Sequence, residues 1–265
     1  MKLTFAQIDA FADAPFAGNP AAVIPLAGWL DDATLQAIAE ENNLSETAFI
    51  IPDASGAADF ELRWFTPAAE VALCGHATLA SGHFVLSADA ARARVRFRTR
   101  QAGVLEVARD GTGYALALPA WTPDPAPLPA FVAALGLAKA AATLWHDKGY
   151  ALIVVDDARA VRACRPDMRA LAALGRHVVI VSAPGDDSDI ISRVFVPAFA
   201  IPEDPVTGAA HAVMVPYWAK RLGRDTFSAF QASARGGRLA CRFDGGRVVL
   251  GGGCVTVIEG TFLLP

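Results

Sequence analysis

Glu46 stands where a carboxylate needs a reason. It lies in L-S-E-T-A-F-I-I-P (Leu44 to Pro52), where strand alternation puts Leu44, Glu46, Ala48 and Ile50 on one face. Such an acid is either a strand-end residue leaning into water or a buried group kept for proton transfer. A carboxyl group in apolar surroundings is one way to make a base work near neutral pH. Two further places suit chemistry: Gly75 in C-G-H-A-T and Gly208 in T-G-A-A-H each open a small-residue, helix-compatible run. Helix N-termini present unpaired N–H groups and a partial positive charge, so they hold carboxylates and similar anions. Glycine there lets the backbone approach a ligand closely. Two such termini facing one cleft would clamp a small acid and stabilise negative charge that develops on it. Beside the first lie His76, an imidazole suited to relay a proton, and Cys74, a thiol that a helix start can activate. Their plainer readings are a helix-cap histidine and a small buried thiol. Asp204, in E-D-P, reads equally as a functional acid and as a turn former before Pro205.

The elements around these residues occur twice. R-W-F-T-P-A begins at Arg63 and R-V-F-V-P-A at Arg193, an offset of 130, and each reads as a strand ended by proline and followed by an apolar helix. Further on, G-V-L-E-V-A-R-D-G (from Gly103) parallels G-R-L-A-C-R-F-D-G (from Gly237), with Asp-Gly hairpin signals at Asp110 and Asp244. The pattern predicts a duplicated α+β unit: residues 1–120 form one half, 131–265 the other, and the proline-rich 121–130 links them. The five prolines between Pro119 and Pro129 exclude regular structure there. The helices after Gly75 and Gly208 are apolar nearly all round and should be buried within their own halves. Surface helices fit Leu30 to Asn43, capped by Asp31 or Asp32, and D-M-R-A-L-A-A-L-G from Asp167. A cleft between two similar halves is a favoured place for a small-molecule site.

F-A-G-N-P-A-A-V-I, L-S-E-T-A-F-I, F-T-P-A-A-E-V-A-L-C-G-H-A-T-L-A and E-D-P-V-T-G-A-A-H, in this order, resemble the PhzF-like family over essentially the whole chain. That family is related in fold to diaminopimelate epimerase. The resemblance implies two pseudo-symmetric halves, each a mixed or antiparallel sheet wrapped around a central helix, with the site in the interdomain cleft. It makes Glu46 the proton acceptor and donor, and so reverses the preference that alternation alone would give. It assigns His76 and Asp204 to the catalytic set, and Gly75, Ala77, Gly208, Ala209 and Asn19 to substrate binding. It also implies a homodimer. Many relatives carry a serine where this chain has Ala209, so a hydroxyl donor is missing and the phenazine-pathway isomerisation itself is disfavoured. In the epimerase relatives two cysteines are opposed bases; Cys74 lies in the first such segment, and E-D-P-V-T-G-A-A supplies no second.

Composition narrows the rest. The chain has 265 residues, 54% hydrophobic and 19% charged, with net charge −4, an ordered protein with no overall attraction to nucleic acid or anionic membranes. Arg92, Arg94, Arg96, Arg98 and Arg100 alternate strictly and read as a solvated strand face rather than a nucleic-acid surface. Four scattered cysteines fit reduced thiols in a soluble, cytoplasmic protein. Cys254 lies in a strand-like run and reads as structural. W-H-D-K-G-Y (Trp145 to Tyr150) reads equally as a pocket rim and as a turn. No dinucleotide, Walker or metal spacing occurs, so neither cofactor nor metal is expected. The leading expectation is a cofactor-independent isomerase of a small carboxylate-bearing metabolite. The alternatives are an epimerase or racemase using Cys74 as a base, and a non-catalytic small-acid-binding protein.

Overall fold

A computed structural model describes residues 1–264. In chain order its elements are β1 (Lys2–Ala10), β2 (Asn19–Pro25), α1 (Asp32–Asn42), β3 (Glu46–Pro52), β4 (Phe60–Phe65), β5 (Glu70–Val71), α2 (Gly75–Ala88), β6 (Arg94–Thr99), β7 (Val104–Asp110) and β8 (Gly113–Pro119). Then follow β9 (Asp124–Pro125), α3 (Pro129–Ala134), β10 (Ala142–His146), β11 (Tyr150–Val154), α4 (Ala158–Ala163), α5 (Met168–Ala173), β12 (Val178–Pro184), β13 (Ile190–Val196) and β14 (Ile201–Asp204). The chain closes with α6 (Gly208–Leu222), β15 (Thr226–Gln231), β16 (Gly237–Phe243), β17 (Arg247–Gly252) and β18 (Cys254–Leu263).

Two compact units result, Met1–Ala117 with the segment from Gly251 on, and Leu118–Leu250. The second boundary differs from the expected 131–265 half. β18 pairs antiparallel with β1 along its length, from Lys2 opposite Leu263 to Ala10 opposite Cys254, so the last strand belongs to the first unit. The proline-rich stretch is also less irregular than expected: β9 pairs with β10, and Pro129 opens α3 at a position where its missing N–H costs nothing.

In the first unit the strands pair in the order β18–β1–β2–β3–β4–β6–β7–β8. β2/β3 and β4/β6 are parallel, the other neighbours are antiparallel, and β5 adds to β4. α2 touches β18 and β1 at one end of this order and β6 and β7 at the other, so the sheet curls around it. The helix has no polar stripe, and Gly75 to Gly82 and Leu86 are all buried. α1 covers the opposite face, with Leu35, Ile38 and Ala39 against Leu3, Ile24, Phe49 and Phe65. Asp31 caps α1 by accepting from Thr34 N–H at 2.9 Å. Because both faces are covered, Thr47, Ala48, Phe49 and Ile50 of β3 are all buried.

The second unit repeats the scheme as β9–β10–β11–β12–β13–β15–β16, with β11/β12 and β13/β15 parallel and β14 added to β13. α6 takes the place of α2 and is buried over most of its length. Pro216 lies inside α6 and cannot donate to Ala212 O; Trp121 N–H fills that acceptor at 3.0 Å. α5 is capped by Asp167, as its sequence suggests.

The repeated R-x-F motif has one structural job in both units. The Arg63 guanidinium donates in a fork to both carboxylate oxygens of Glu70, each at 2.8 Å, and Arg193 does the same to Glu203 at 2.7 and 2.9 Å. Each guanidinium also lies 4.9 Å from the ring of the phenylalanine two residues on, Phe65 or Phe195. The fork ties down β5 and β14, the short segments that deliver the chain to α2 and α6.

A tight helix–sheet contact gives the first prediction. A Cβ on Gly82 would stand 2.4 Å from Val107 Cγ1 and 2.6 Å from Val107 Cβ, too close for a rotamer change to relieve. Gly82→Ala should therefore destabilise the protein by about 1–3 kcal/mol despite the better helix propensity of alanine. Urea unfolding measures this; an unchanged or raised midpoint would show that α2 and β7 yield easily.

Candidate active site

Three chain segments bring their first residues together in the first unit. β2 begins with Asn19, and β3 runs parallel to β2 with Ala21 opposite Glu46, the first residue of β3. His76 is the second residue of α2, and Cys74 is its N-cap. Gly18 makes the approach to Asn19 feasible: its φ is +65°, and a Cβ there would lie 2.2 Å from Ala10 O.

Glu46 Oε2 lies 2.9 Å from His76 Nε2, and the Asn19 side-chain amide lies 3.1 Å from His76 Nδ1. Cys74 Sγ lies 3.5 Å from Nδ1 and 4.0 Å from Nε2. Asn19, Cys74 and His76 are buried, while Glu46 keeps 14% of its side chain exposed and so opens the cluster to the outside. Oε2 has an imidazole beside it but no hydrogen-bond donor aligned on it among the described residues. Oε2 itself is shut away from solvent against the imidazole, so the exposed part of the Glu46 side chain is the remainder of it.

The charges are strongly coupled. Burial works against a charged His76, while the Cys74 sulfur when ionised and the Glu46 carboxylate work for it, and the imidazole is raised well above its ordinary pKa. Burial pushes the Cys74 thiol up to about 11, reinforced by the Glu46 charge and only partly opposed by His76. The thiol is therefore neutral near pH 7, and Glu46 is the counter-ion that His76 faces. The activated thiol that a helix start allows is not found here. Cys254 lies in β18 and is pushed up by burial as well, which fits its structural reading.

The first turn of α2 contains Gly75, His76 and Ala77, and no side chain of its N-cap satisfies their N–H groups. Thr78 Oγ1 donates to Cys74 O at 2.5 Å, bracing that turn.

In the second unit Asp204 ends β14 and Thr207 is the N-cap of α6, again without side-chain capping. Thr207 Oγ1 donates to Asp204 Oδ2 at 2.5 Å. Gln231, fully buried at the end of β15, accepts from Thr207 N–H at 2.9 Å and donates to Asp204 O at 2.7 Å. This glutamine, which fixes the approach to Gly208, carries no motif of its own and was missed in the sequence. Ala209 follows Gly208 half-buried and contributes only a methyl. His211, one turn into the helix, has its pKa pushed down to about 4 by burial against the opposing effect of Thr207 O, so it is neutral.

Register shows how the units differ. Thr47 faces Phe65 as Val179 faces Phe195, so Val178 stands where the first unit has Glu46. With the helix starts aligned, Thr207 replaces Cys74 and Ala209 replaces His76. Among the described residues, the carboxylate–imidazole–thiol cluster occurs in the first unit alone. The arginine stripe is answered by acids: Arg92 pairs with Asp59, Arg98 with Asp53 and Glu61, and Arg100 with Glu70. The W-H-D-K-G-Y stretch is the β10–β11 turn, where Trp121 stacks on His146 and under the Lys148 ammonium.

The Glu46–His76 pair makes stability depend on pH. A histidine whose folded pKa is raised contributes stability that is fully present below the unfolded value, about 6.5, and is lost as pH rises through the folded value. Glu46→Gln removes the carboxylate that helps raise it. The melting-temperature gap between wild type and Glu46→Gln should thus be wider at about pH 6 than at about pH 9. Calorimetry at both values tests this, and a gap independent of pH would contradict the pairing.

The family model described as phenazine biosynthesis-like protein matches residues 8–260. An uncharacterized isomerase of Pseudomonas aeruginosa is 48% identical over the full length of both chains, and a second from that organism is 45% identical, also over both full lengths. A crystal structure of a phenazine biosynthesis PhzF-family protein from Enterococcus faecalis superposes with a TM-score of 0.91, at 43% identity and full coverage of both chains. With an α+β fold of the diaminopimelate epimerase type, this chain belongs to the phenazine biosynthesis-like (PhzF) family of isomerases.

Proposed function

We propose that the chain is a cofactor-independent isomerase that moves a proton between two carbons of a small carboxylate-bearing metabolite, with Glu46 as acid and base. The observation that carries this reading is the partly open Glu46 side chain, whose carboxylate lies 2.9 Å from His76 Nε2. In the reaction, Glu46 takes a proton from a carbon next to an electron-withdrawing group and becomes a neutral acid. The electron pair left behind is delocalised, and Glu46 returns the proton at a second carbon, so that substrate and product are isomers. The imidazole of His76 stabilises the intermediate charge, and Asn19 fixes the ring. The uncapped first turn of α2, with Gly75 and Ala77, holds the anionic group of the substrate.

Asp204, Gly208 and Ala209 are the second unit's proposed substrate-binding groups. Asp204 Oδ2 already accepts from Thr207, which suits an orienting role better than that of a base. Racemisation by two opposed bases is disfavoured on two grounds: Val178, Thr207 and Ala209 offer no second base, and the Cys74 thiol is protonated near pH 7. We place the protein in the cytoplasm on its four free thiols, and as a homodimer on its family resemblance. Among the described residues no helix is long and apolar enough to cross a membrane.

Deuterium incorporation from D₂O into a panel of small amino and hydroxy acids tests the chemistry. One compound should exchange with wild type, and Glu46→Gln should lower that rate by about 10²–10⁴-fold while remaining folded. Equal exchange in both proteins would remove Glu46 as the base. Cys74→Ser should keep exchange within about tenfold of wild type, since no step is routed through the thiol; loss comparable to that of Glu46→Gln would revive the racemase reading.

A further inference from the structure

The two units solve one local problem differently, and the difference exposes a binding site in the first. Strands β5 and β6 share one edge of β4 and leave a notch between them at Arg63; β14 and β15 do the same along β13 at Arg193. In the second unit the buried Gln231 side chain fills the notch, donating to Asp204 O at 2.7 Å and accepting from Thr207 N–H at 2.9 Å. Register identifies its counterpart. Leu62 stands opposite Thr99 as Ser192 stands opposite Gln231, and Trp64 faces Val71 as Val194 faces Asp204. Threonine is too short to span the gap, and Thr99 Oγ1 is turned away, donating to Gly103 O at 2.8 Å and accepting from Ala102 N–H at 2.9 Å. A cavity of about 10 Å³ lies at the notch, lined by Leu62, Trp64, Val71, Ala72, Arg100 and Gln101 among others. Trp64 is 2% exposed, and its indole Nε1 has no hydrogen-bond partner among the described residues.

We propose that this notch binds one internal water molecule, which does for the start of α2 what the Gln231 amide does for the start of α6. The water accepts from Trp64 Nε1–H and donates to the Val71 carbonyl, the counterpart of Asp204 O. A cavity of this volume holds about one water and nothing larger. A buried indole N–H calls for an acceptor, because leaving it unpaired costs about 1–3 kcal/mol. A neutral occupant suits the local charge better than an anion. Arg63 is forked onto Glu70, and Arg100 also donates to Glu70 at 3.1 Å, so both guanidinium groups are already paired. Val71 and Ala72 lead directly to Cys74, the N-cap of α2, and so to His76. A water bonded to this stretch and to β4 through Trp64 therefore steadies the approach to the helix start.

The water site rests on register and cavity, not on the isomerase reading, and its test needs no substrate. Nuclear Overhauser measurements between water and the indole N–H protons read it directly. Trp64→Phe identifies the Trp64 signal among those of the five tryptophans. In wild type that proton should show a cross-peak to water with the sign of a long-lived internal molecule. Thr99→Gln gives the first unit the residue that fills the second unit's notch, and the cross-peak should be lost. Absence of the cross-peak in wild type, or its survival in folded Thr99→Gln, would overturn the assignment. A high-resolution crystal structure of wild type decides the matter even where Thr99→Gln fails to fold. Density for one water at about 2.7–3.2 Å from Trp64 Nε1 is the expected result. An empty notch, or an anomalous peak there after a bromide soak, would overturn it.

Discussion

A helix of 14 residues with no polar stripe must be covered on every side, and the first unit is built around that requirement. One flat sheet can cover only half of such a helix. A sheet whose two ends both reach α2 covers the remainder, and it does so by enlisting β18 from the far end of the chain. Once the helix is enclosed, its buried first turn meets strand starts rather than solvent. That is why Asn19 and Glu46, each the first residue of its strand, converge on His76. The hydrophobic demand of α2 thus creates the place where a carboxylate, an imidazole and a thiol are held together out of water.

The duplication separates scaffold from chemistry. Both units keep the arginine–glutamate fork, the two parallel strand pairings and the enclosed helix. A bidentate ion pair with the guanidinium against an aromatic ring tolerates little variation in geometry, so its repetition marks a shared mechanical need: fixing the strand that leads into the helix. The chemical residues are not repeated. Val178 and Ala209 are apolar where Glu46 and His76 are ionisable, and the second helix start is organised instead by Asp204, Thr207 and Gln231. One unit holds a carboxylate–imidazole pair at its helix start, and the other a set of hydrogen bonds around Asp204.

Most of this was legible where a local signal existed. The R-x-F-x-P-A and Asp-Gly repeats reveal the duplication because each encodes a turn or an ion pair within a few residues. Asp31 and Asp167 reveal helix starts for the same reason. What was not legible depends on partners far apart in sequence. Nothing in Cys254–Leu263 says that it pairs with Lys2–Ala10, since strand pairing leaves only a period-two pattern and no address. The face of Glu46 was obscured in another way: with α1 on one side and α2 on the other, β3 is buried on both faces from Thr47 to Ile50 and its alternation loses contrast. Glu46 became identifiable through its motif, and its meeting with Asn19, His76 and Cys74 only through the fold. Gln231 had neither signal, because a glutamine ending a strand is ordinarily solvated.

The buried cluster has a charge balance that suits the proposed reaction. With the Cys74 thiol held neutral, Glu46 and His76 form an ion pair with little net charge. Proton transfer from a carbon acid to Glu46 neutralises the carboxylate and leaves the imidazolium without its counter-ion. Negative charge appears on the substrate in that same step and takes the place of the carboxylate. The positive charge of His76 is thereby redirected from the resting enzyme to the intermediate, without the imidazole having to move or gain a proton. An interaction that strengthens only as the reaction proceeds lowers the barrier, whereas one already complete in the resting state does not. A thiolate at position 74 would spoil the exchange, since it would keep the imidazolium paired throughout; the burial that keeps Cys74 protonated is, on this reading, part of the catalytic design.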